Sequence, residues 1–237
     1  ASPAVCKSFL QGREHALSAF DEGSLHAPYG TSLRMGRLGY QSDAQSRLHV
    51  SYNCLDSYAR TLSEALTEPY PPYERIGTRR DGDWIQLSTS LLQIENEFYG
   101  TIRPKRGTQP GERPLPALVE RGVEYVEVRC MDVDPFMPLG IDAESMRFLD
   151  VFLLYCLLAE SPPDSPEESA LMDRNQRRVV EEGRRPDLEL EDGEHMRSLR
   201  EWAGALLDGC EGVAAALDAA HGGRAYADAV ARQRPLV

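Results

Sequence analysis

Within residues 93–129 the chain twice sets charged groups on alternate residues beside apolar ones, and a period of two commits both segments to β-structure. Over residues 93–103 the odd positions read Gln, Glu, Glu, Tyr, Thr and Arg, while the even positions are mostly apolar. Over residues 123–130 one face carries Tyr125, Glu127 and Arg129, and Val126, Val128 and Cys130 face the other way. Two such strands in one sheet present a floor of carboxylates and guanidinium groups. Carboxylates bind hard cations and an arginine fork matches phosphate oxygens, so one reading is a site that handles metal and phosphate. The other reading is a solvated sheet face held by cross-strand ion pairs.

Composition narrows the partners. The chain has 237 residues, enough for one large domain or two small ones with a real core. A net charge of −12 argues against general binding to nucleic acid or anionic membranes, because the phosphate backbone would be repelled. Five cysteines (Cys6, Cys54, Cys130, Cys156, Cys210) are scattered without CxxC spacing, which points to reduced thiols in a cytoplasm and not to a disulfide frame or zinc site. The longest apolar run, residues 148–159, contains Asp150 and is too short to span a bilayer. No signal peptide opens the chain, and neither repeats nor low-complexity segments interrupt it.

Read in order, residues 4–11 form helix or loop, and Gly12, Gly23, Pro28 and Gly30 mark an irregular connection. Residues 47–52 alternate as a strand does, and residues 55–66 have helical spacing, stopped by Pro69, Pro71 and Pro72. A turn at Asp81-Gly82-Asp83 leads into residues 84–87. Residues 104–116, rich in Pro, Gly, Arg and Lys, read as loop. Asp142 caps a helix to about Ala159 whose apolar middle predicts burial against a sheet. A charged helix runs over residues 167–182, one long or broken helix over 194–220, and a short one from Ala225. The expected class is α+β, an antiparallel sheet with packed helices and a helical C-terminal part. The expected division is a β-rich catalytic portion at 1–140 and a helical portion at 141–237.

Several chemistries find no support. The five histidines lack ligand spacing, and there is no GxxxxGK[ST], GxGxxG or GxSxG string. Arg103, Lys105 and Arg106 form a basic run that either attracts nucleotide phosphates or is a solvated loop. Gly30, Gly36 and Gly39 flank Arg34 and Tyr40 in a loop whose backbone could approach a ligand closely.

The strings QIENEFYGTIRPKRG (93–107) and RGVEYVEVRCMDVDPFMPLGI (121–141) resemble sequence blocks of the proteobacterial type of glutamate-cysteine ligase. Four further blocks agree in order: ASPAVCKSFLQG (1–12), PYGTSLRMGRLGY (28–40), RFLDVFLLYCLLA (147–159) and RRVVEEGRRP (177–186). The resemblance implies a glutamine-synthetase-like fold, a cytoplasmic enzyme that is monomeric at full length, and the first step of glutathione synthesis. In that reaction the γ-carboxylate of glutamate attacks the terminal phosphorus of ATP, and the amino group of cysteine displaces phosphate from the acyl phosphate. It further implies that Glu127 helps hold magnesium, that Arg129 acts on the transferring phosphoryl group, and that Arg34, Tyr40 and Tyr99 line the amino-acid pocket. Arg129, Arg103 and Lys105 are the expected nucleotide contacts.

The family's N-terminal carboxylate block and its histidine-bearing middle block have no counterpart here, so the chain reads as a fragment with little activity alone. Two other readings are a non-catalytic interaction module and a related carboxylate-amine ligase with another amine substrate.

Overall fold

The structure is a computed structural model that describes residues 3–10, 12, 14–36, 38–39, 44–45 and 48–236. The chain opens with β1 (Ala4–Cys6), α1 (Lys7–Leu10), β2 (Ser18–Ala19) and β3 (Ser24–His26). Next come α2 (Leu55–Thr67), α3 (Pro71–Ile76), β4 (Arg79–Arg80), β5 (Asp83–Trp84) and a 3₁₀ turn at Glu95–Glu97. β6 (Ile102–Lys105), α4 (Pro114–Arg121) and β7 (Tyr125–Val128) follow. The remainder holds α5 (Ala143–Leu158), α6 (Pro166–Glu182), β8 (Glu189–Asp192), β9 (His195–Ser198), α7 (Leu199–His221) and α8 (Ala225–Ala231). The class is α+β. All strand pairings among the described residues are antiparallel: one three-stranded sheet in the order β1-β3-β2, and the ribbons β4-β5, β6-β7 and β8-β9.

The chain divides into two compact units, one made of Ala1–Leu33 with Asp132–Val237 and the other of Arg34–Met131. In the Arg34–Met131 unit, α2 places Tyr58, Leu62 and Ala65 on one buried face at helical spacing, where they meet Leu92, Phe98 and Leu118. Glu68 closes α2 immediately before Pro69, as the missing proline N–H requires. Prolines start helices as well as stop them: Pro71-Pro72 and Pro114 occupy the first turns of α3 and α4, where an N–H has no intrahelical partner to lose. The β4-β5 ribbon turns on Asp81 and Gly82, with φ of 53° and 95°, a two-residue Asp-Gly hairpin.

Three expectations for this unit change. Residues 93–103 are not one strand: the 3₁₀ turn breaks them and β6 begins only at Ile102, because Glu95 is drawn inside to cap α4. Its Oε2 accepts the Leu115 N–H at 2.6 Å, at the start of that helix. Residues 104–116 are not all loop, since β6 runs through Pro104 and Lys105 and α4 starts at Pro114. Residues 48–52 form no strand. There the Tyr52 hydroxyl donates to the Ile102 carbonyl at 2.7 Å, so that stretch is held by a side chain and not by a ladder.

In the other unit, α5, α7 and α8 pack together around Val151, Leu207, Cys210, Ala214 and Val230. Asp142 caps α5 as expected, accepting the Ser145 N–H at 2.7 Å. The helix is buried against α7 and α8 and not against a sheet, and Leu157 and Leu158 remain 77% and 75% exposed. Ser165 and Glu168 form a reciprocal capping box at the start of α6. The helix expected from residue 194 begins five residues later, because His195–Ser198 pairs back on Glu189–Asp192. Asn175 on α6 fixes that hairpin with both ends of its amide, donating to the Glu191 carbonyl at 2.8 Å and accepting the Glu191 N–H at 2.9 Å.

The segment before residue 33 closes on the end of α6. Thr31 N–H donates to the Val180 carbonyl at 2.9 Å, and its hydroxyl to the Val179 carbonyl at 2.7 Å. A Cβ at Gly183 would stand 2.4 Å from the Val179 oxygen and 2.6 Å from Thr31 Cγ2, so only glycine fits. Gly30 serves the same junction, with a Cβ there 2.8 Å from Ala27 Cβ and 3.3 Å from the Val180 oxygen. Its small size serves packing against α6, whereas the sequence pointed to a ligand.

Candidate functional site

The candidate residues converge on the β6-β7 ribbon. Its register pairs Ile102 with Val128, Arg103 with Glu127, Pro104 with Val126 and Lys105 with Tyr125. Side chains alternate along each strand, so Arg103, Lys105, Glu127 and Arg129 can be brought together only because two charged positions on each side of the ribbon fall in phase. Glu127 lies at the centre. Its Oε2 stands 3.3 Å from Lys105 Nζ and its Oε1 3.5 Å from Arg129 Nε, with the side chain about one-third exposed at 37%.

Those distances are ion pairs and not hydrogen bonds. Glu127 Oε2 is shielded from solvent and has no hydrogen-bond partner, although the Lys105 ammonium is close enough to attract it. A carboxylate oxygen in that condition is poorly satisfied by the protein alone. It is suited to a hard cation, which takes oxygen ligands.

Arg129 is tied at its backbone. Its N–H donates to the Thr101 carbonyl at 2.7 Å, and its own carbonyl accepts Arg34 Nε at 2.5 Å. The second bond joins two candidates that are 95 residues apart. The Arg129 guanidinium and the Lys105 ammonium therefore flank one carboxylate, with Arg34 tied to the Arg129 backbone, a cationic patch that would meet a polyanion.

Arg103 is placed differently from its expectation as a nucleotide contact. It is 6% exposed, and its Nη2 donates to the Glu95 carbonyl at 3.1 Å while Nη1 reaches the Asn96 carbonyl at 3.5 Å. Its guanidinium also lies beside Tyr58, whose phenol burial pushes up and Arg103 partly pulls back. Arg103 is thus a buried brace that holds the 3₁₀ turn to β6. A period of two groups Arg103 with Lys105 but does not tell which charged side chain turns inward.

Tyr99 lies between that turn and β6 and not on a strand; it is 41% exposed. Gln45 fixes its position, accepting the Tyr99 N–H at 2.9 Å and donating to the Glu97 carbonyl at 2.7 Å. Nothing in the local sequence around Gln45 signals this role. Tyr99, after burial and the charge of Glu97, is among the neighbours that raise the Tyr73 phenol. Tyr40 lies outside the described residues.

Glu95 and Glu97 also part ways with a ligand role. Glu95 is buried, 3.0 Å from Arg113 Nη2 through Oε1, and caps α4 through Oε2. Glu97 Oε2 accepts the Gln93 N–H at 2.7 Å. Among the described residues no group of three or more His, Cys, Asp or Glu side chains is placed to hold a metal ion. Glu127 therefore fits as a single ligand and not as part of a complete set. No described helix is long and apolar enough to cross a membrane.

Known proteins resemble this chain. A family model described as glutamate-cysteine ligase matches residues 1–179. A glutamate–cysteine ligase from Pseudomonas aeruginosa is 53% identical over 237 residues, covering 100% of this chain and 45% of the relative. One from Azotobacter vinelandii is likewise 53% identical, with the same 100% and 45% coverage. The solved structure of glutamate–cysteine ligase from Francisella tularensis in complex with AMP superimposes with a TM-score of 0.89 at 38% identity, covering 98% of this chain and 46% of that one. The chain thus spans about half the length of the relatives it matches.

Proposed function

Because the chain belongs to the glutamate–cysteine ligase family, we propose that it is part of an ATP-dependent ligase joining the γ-carboxylate of glutamate to the amino group of cysteine. The observation that carries this reading is Glu127, with one shielded and unbonded oxygen between Lys105 and Arg129. A bound magnesium ion would neutralise triphosphate charge and polarise the phosphoryl group under attack.

This chain's own residues bind and orient. Glu127 would hold the cation through its carboxylate, beside the Lys105 ammonium at 3.3 Å. Arg129 meets the charge that grows on the phosphoryl oxygens as the glutamate carboxylate attacks, so its contribution is largest in the transition state. Arg34, fixed through Nε to the Arg129 carbonyl, and Tyr99, held through Gln45, line the amino-acid pocket together with Tyr40. The AMP in the Francisella relative supports an adenine nucleotide as the phosphoryl donor.

Magnesium is commonly held by one or two carboxylates together with waters and substrate phosphates, so Glu127 would supply one ligand of its shell. Calorimetric titration of ATP with magnesium into the wild type and Glu127→Gln tests the reading. Metal-dependent binding weakens by about tenfold or more in the variant. Equal binding by the two proteins returns Glu127 to a purely structural role.

A further inference from the structure

Tyr99 stands on neither helix nor strand and its side chain is exposed, so neither a ladder nor apolar burial sets its place. A relay of three glutamines does so instead. Gln86 donates through Nε2 to the Tyr73 and Gly77 carbonyls at 2.7 Å each, at the C-terminal end of α3. Its Oε1 accepts Gln93 Nε2 at 3.2 Å, and Gln93 Oε1 accepts the Leu87 N–H at 2.9 Å. The Gln93 N–H donates to Glu97 Oε2 at 2.7 Å. From the other side, Gln45 Nε2 donates to the Glu97 carbonyl at 2.7 Å while its Oε1 accepts the Tyr99 N–H at 2.9 Å. Each amide thus donates with one end and accepts with the other, which a neutral primary amide does at a fixed spacing. The relay runs between two apolar anchors, Leu92 and Phe98, which burial holds in the core. After Tyr99 the backbone passes too closely for a side chain, since a Cβ on Gly100 would stand 2.7 Å from Phe98 Cε1 and 3.1 Å from the Ile102 oxygen. The anchors fix depth, and the amides fix the direction in which residues 97–99 face.

We propose that Gln45, Gln86 and Gln93 are positioning residues for the amino-acid site, aiming the Tyr99 phenol at the substrate through the backbone of residues 97–99. The inference rests on the reading that Tyr99 lines that pocket. A phenol already held in its binding direction gives up little freedom when the ligand arrives, so a relay that orients it raises affinity without touching the ligand. Hydrogen bonds are directional and burial is not, so loss of an amide turns the segment while Leu92 and Phe98 keep it in the core. Lys105, Glu127 and Arg129 are set by the β6-β7 register and by their own ion pairs, and their part in holding a nucleotide should survive that loss.

The test is calorimetric titration of L-cysteine, and separately of ATP with magnesium, into the wild type, Gln45→Met, Gln45→Glu and Gln86→Met. Carbon-13 labels on the tyrosine rings report the same proteins by nuclear magnetic resonance. Gln45→Met keeps the length of the side chain and loses both bonds, and L-cysteine affinity falls by about tenfold. Gln45→Glu keeps an acceptor for the Tyr99 N–H and recovers part of that loss. Gln86→Met, at the far end of the relay, lowers the affinity by about threefold. In all three, affinity for ATP with magnesium stays within about twofold of the wild type. The Tyr99 ring signal shifts, while that of Tyr58 in the core does not. Loss of both ligands together, or unchanged L-cysteine binding in Gln45→Met and Gln86→Met, overturns the inference and leaves the glutamines as braces of the fold. A wild type that binds ATP with magnesium but no L-cysteine overturns the pocket reading of Tyr99 and the inference with it, so the two failures are told apart.

Discussion

The corner between α7 and α8 and the β6-β7 ribbon each hold an acidic side chain among donors, with opposite results. Asp218 is 8% exposed, and its two carboxylate oxygens each accept a backbone N–H at 3.0 Å, from Tyr226 and Ala227 at the start of α8. Every part of that charge is used by the fold. Glu127 is more exposed, attracts two cations at 3.3 and 3.5 Å, and still leaves one shielded oxygen unbonded. Burial alone therefore does not mark a site. Glu95 shares the unbonded oxygen, its Oε1 facing Arg113, but it is buried at 7% exposure with Oε2 spent on the cap of α4, whereas Glu127 is partly exposed and caps nothing.

The contrast can be broken by mutation. Asp218→Ala removes the cap of α8 and strands two N–H groups, and should cost about 2–3 kcal/mol in urea unfolding. A loss under half of that would mean that α8 holds without its cap. Gly183→Ala places a methyl group against the Val179 carbonyl and Thr31, and should cost about 1–3 kcal/mol by the same measurement. Glu127→Gln should change unfolding stability by no more than about 0.5 kcal/mol, as half-exposed ion pairs contribute little. A large destabilisation there would make Glu127 a second Asp218.

The smallest effect belongs to Glu112. Two bonds from Arg121, at 2.5 and 2.9 Å, hold its carboxyl down to about 2, well below the usual 4.5. Because the folded value is depressed, the stabilising contribution is present above pH 4.5 and is lost as the pH falls from there through about 2. The pair is solvent-screened, so the change should be slight and should fade in high salt. Nuclear magnetic resonance titration of the Glu112 carboxyl checks it, and a midpoint near 4.5 would show that the pair does not persist in solution.

Helices with spacing and caps were legible in the sequence. α2 follows from helical spacing and the prolines behind it, α5 from Asp142 and its apolar run, and the charged α6 from the prolines before it and Gly183 after it, while α8 starts at Ala225 as expected. The proline at a helix start was harder, because Pro71, Pro72 and Pro114 break a chain and begin a helix by the same locked φ. Met196 and Leu199 fit helical spacing, yet Asn175 pins the preceding strand from another helix, a contact with no local signal. At the site, the alternation put Glu127 and Arg129 on one face, while Lys105, read as part of a loop, meets Glu127 from β6. It placed Glu95 and Arg103 on the same open face, whereas one turned inward to cap α4 and the other to brace the 3₁₀ turn. Periodicity reports that two faces differ and leaves open which groups a distant helix start or carbonyl will draw inside.

The bonds from Thr31 to the end of α6 span 148 residues, with a whole unit encoded between their ends. During synthesis the Arg34–Met131 unit emerges complete while its flanking unit still lacks every long helix. The later unit must then recapture an opening segment made long before, a non-local closure that slows folding. Truncation anywhere ahead of residue 180 should leave that early segment without its seat, while the inserted unit has already reached its own core.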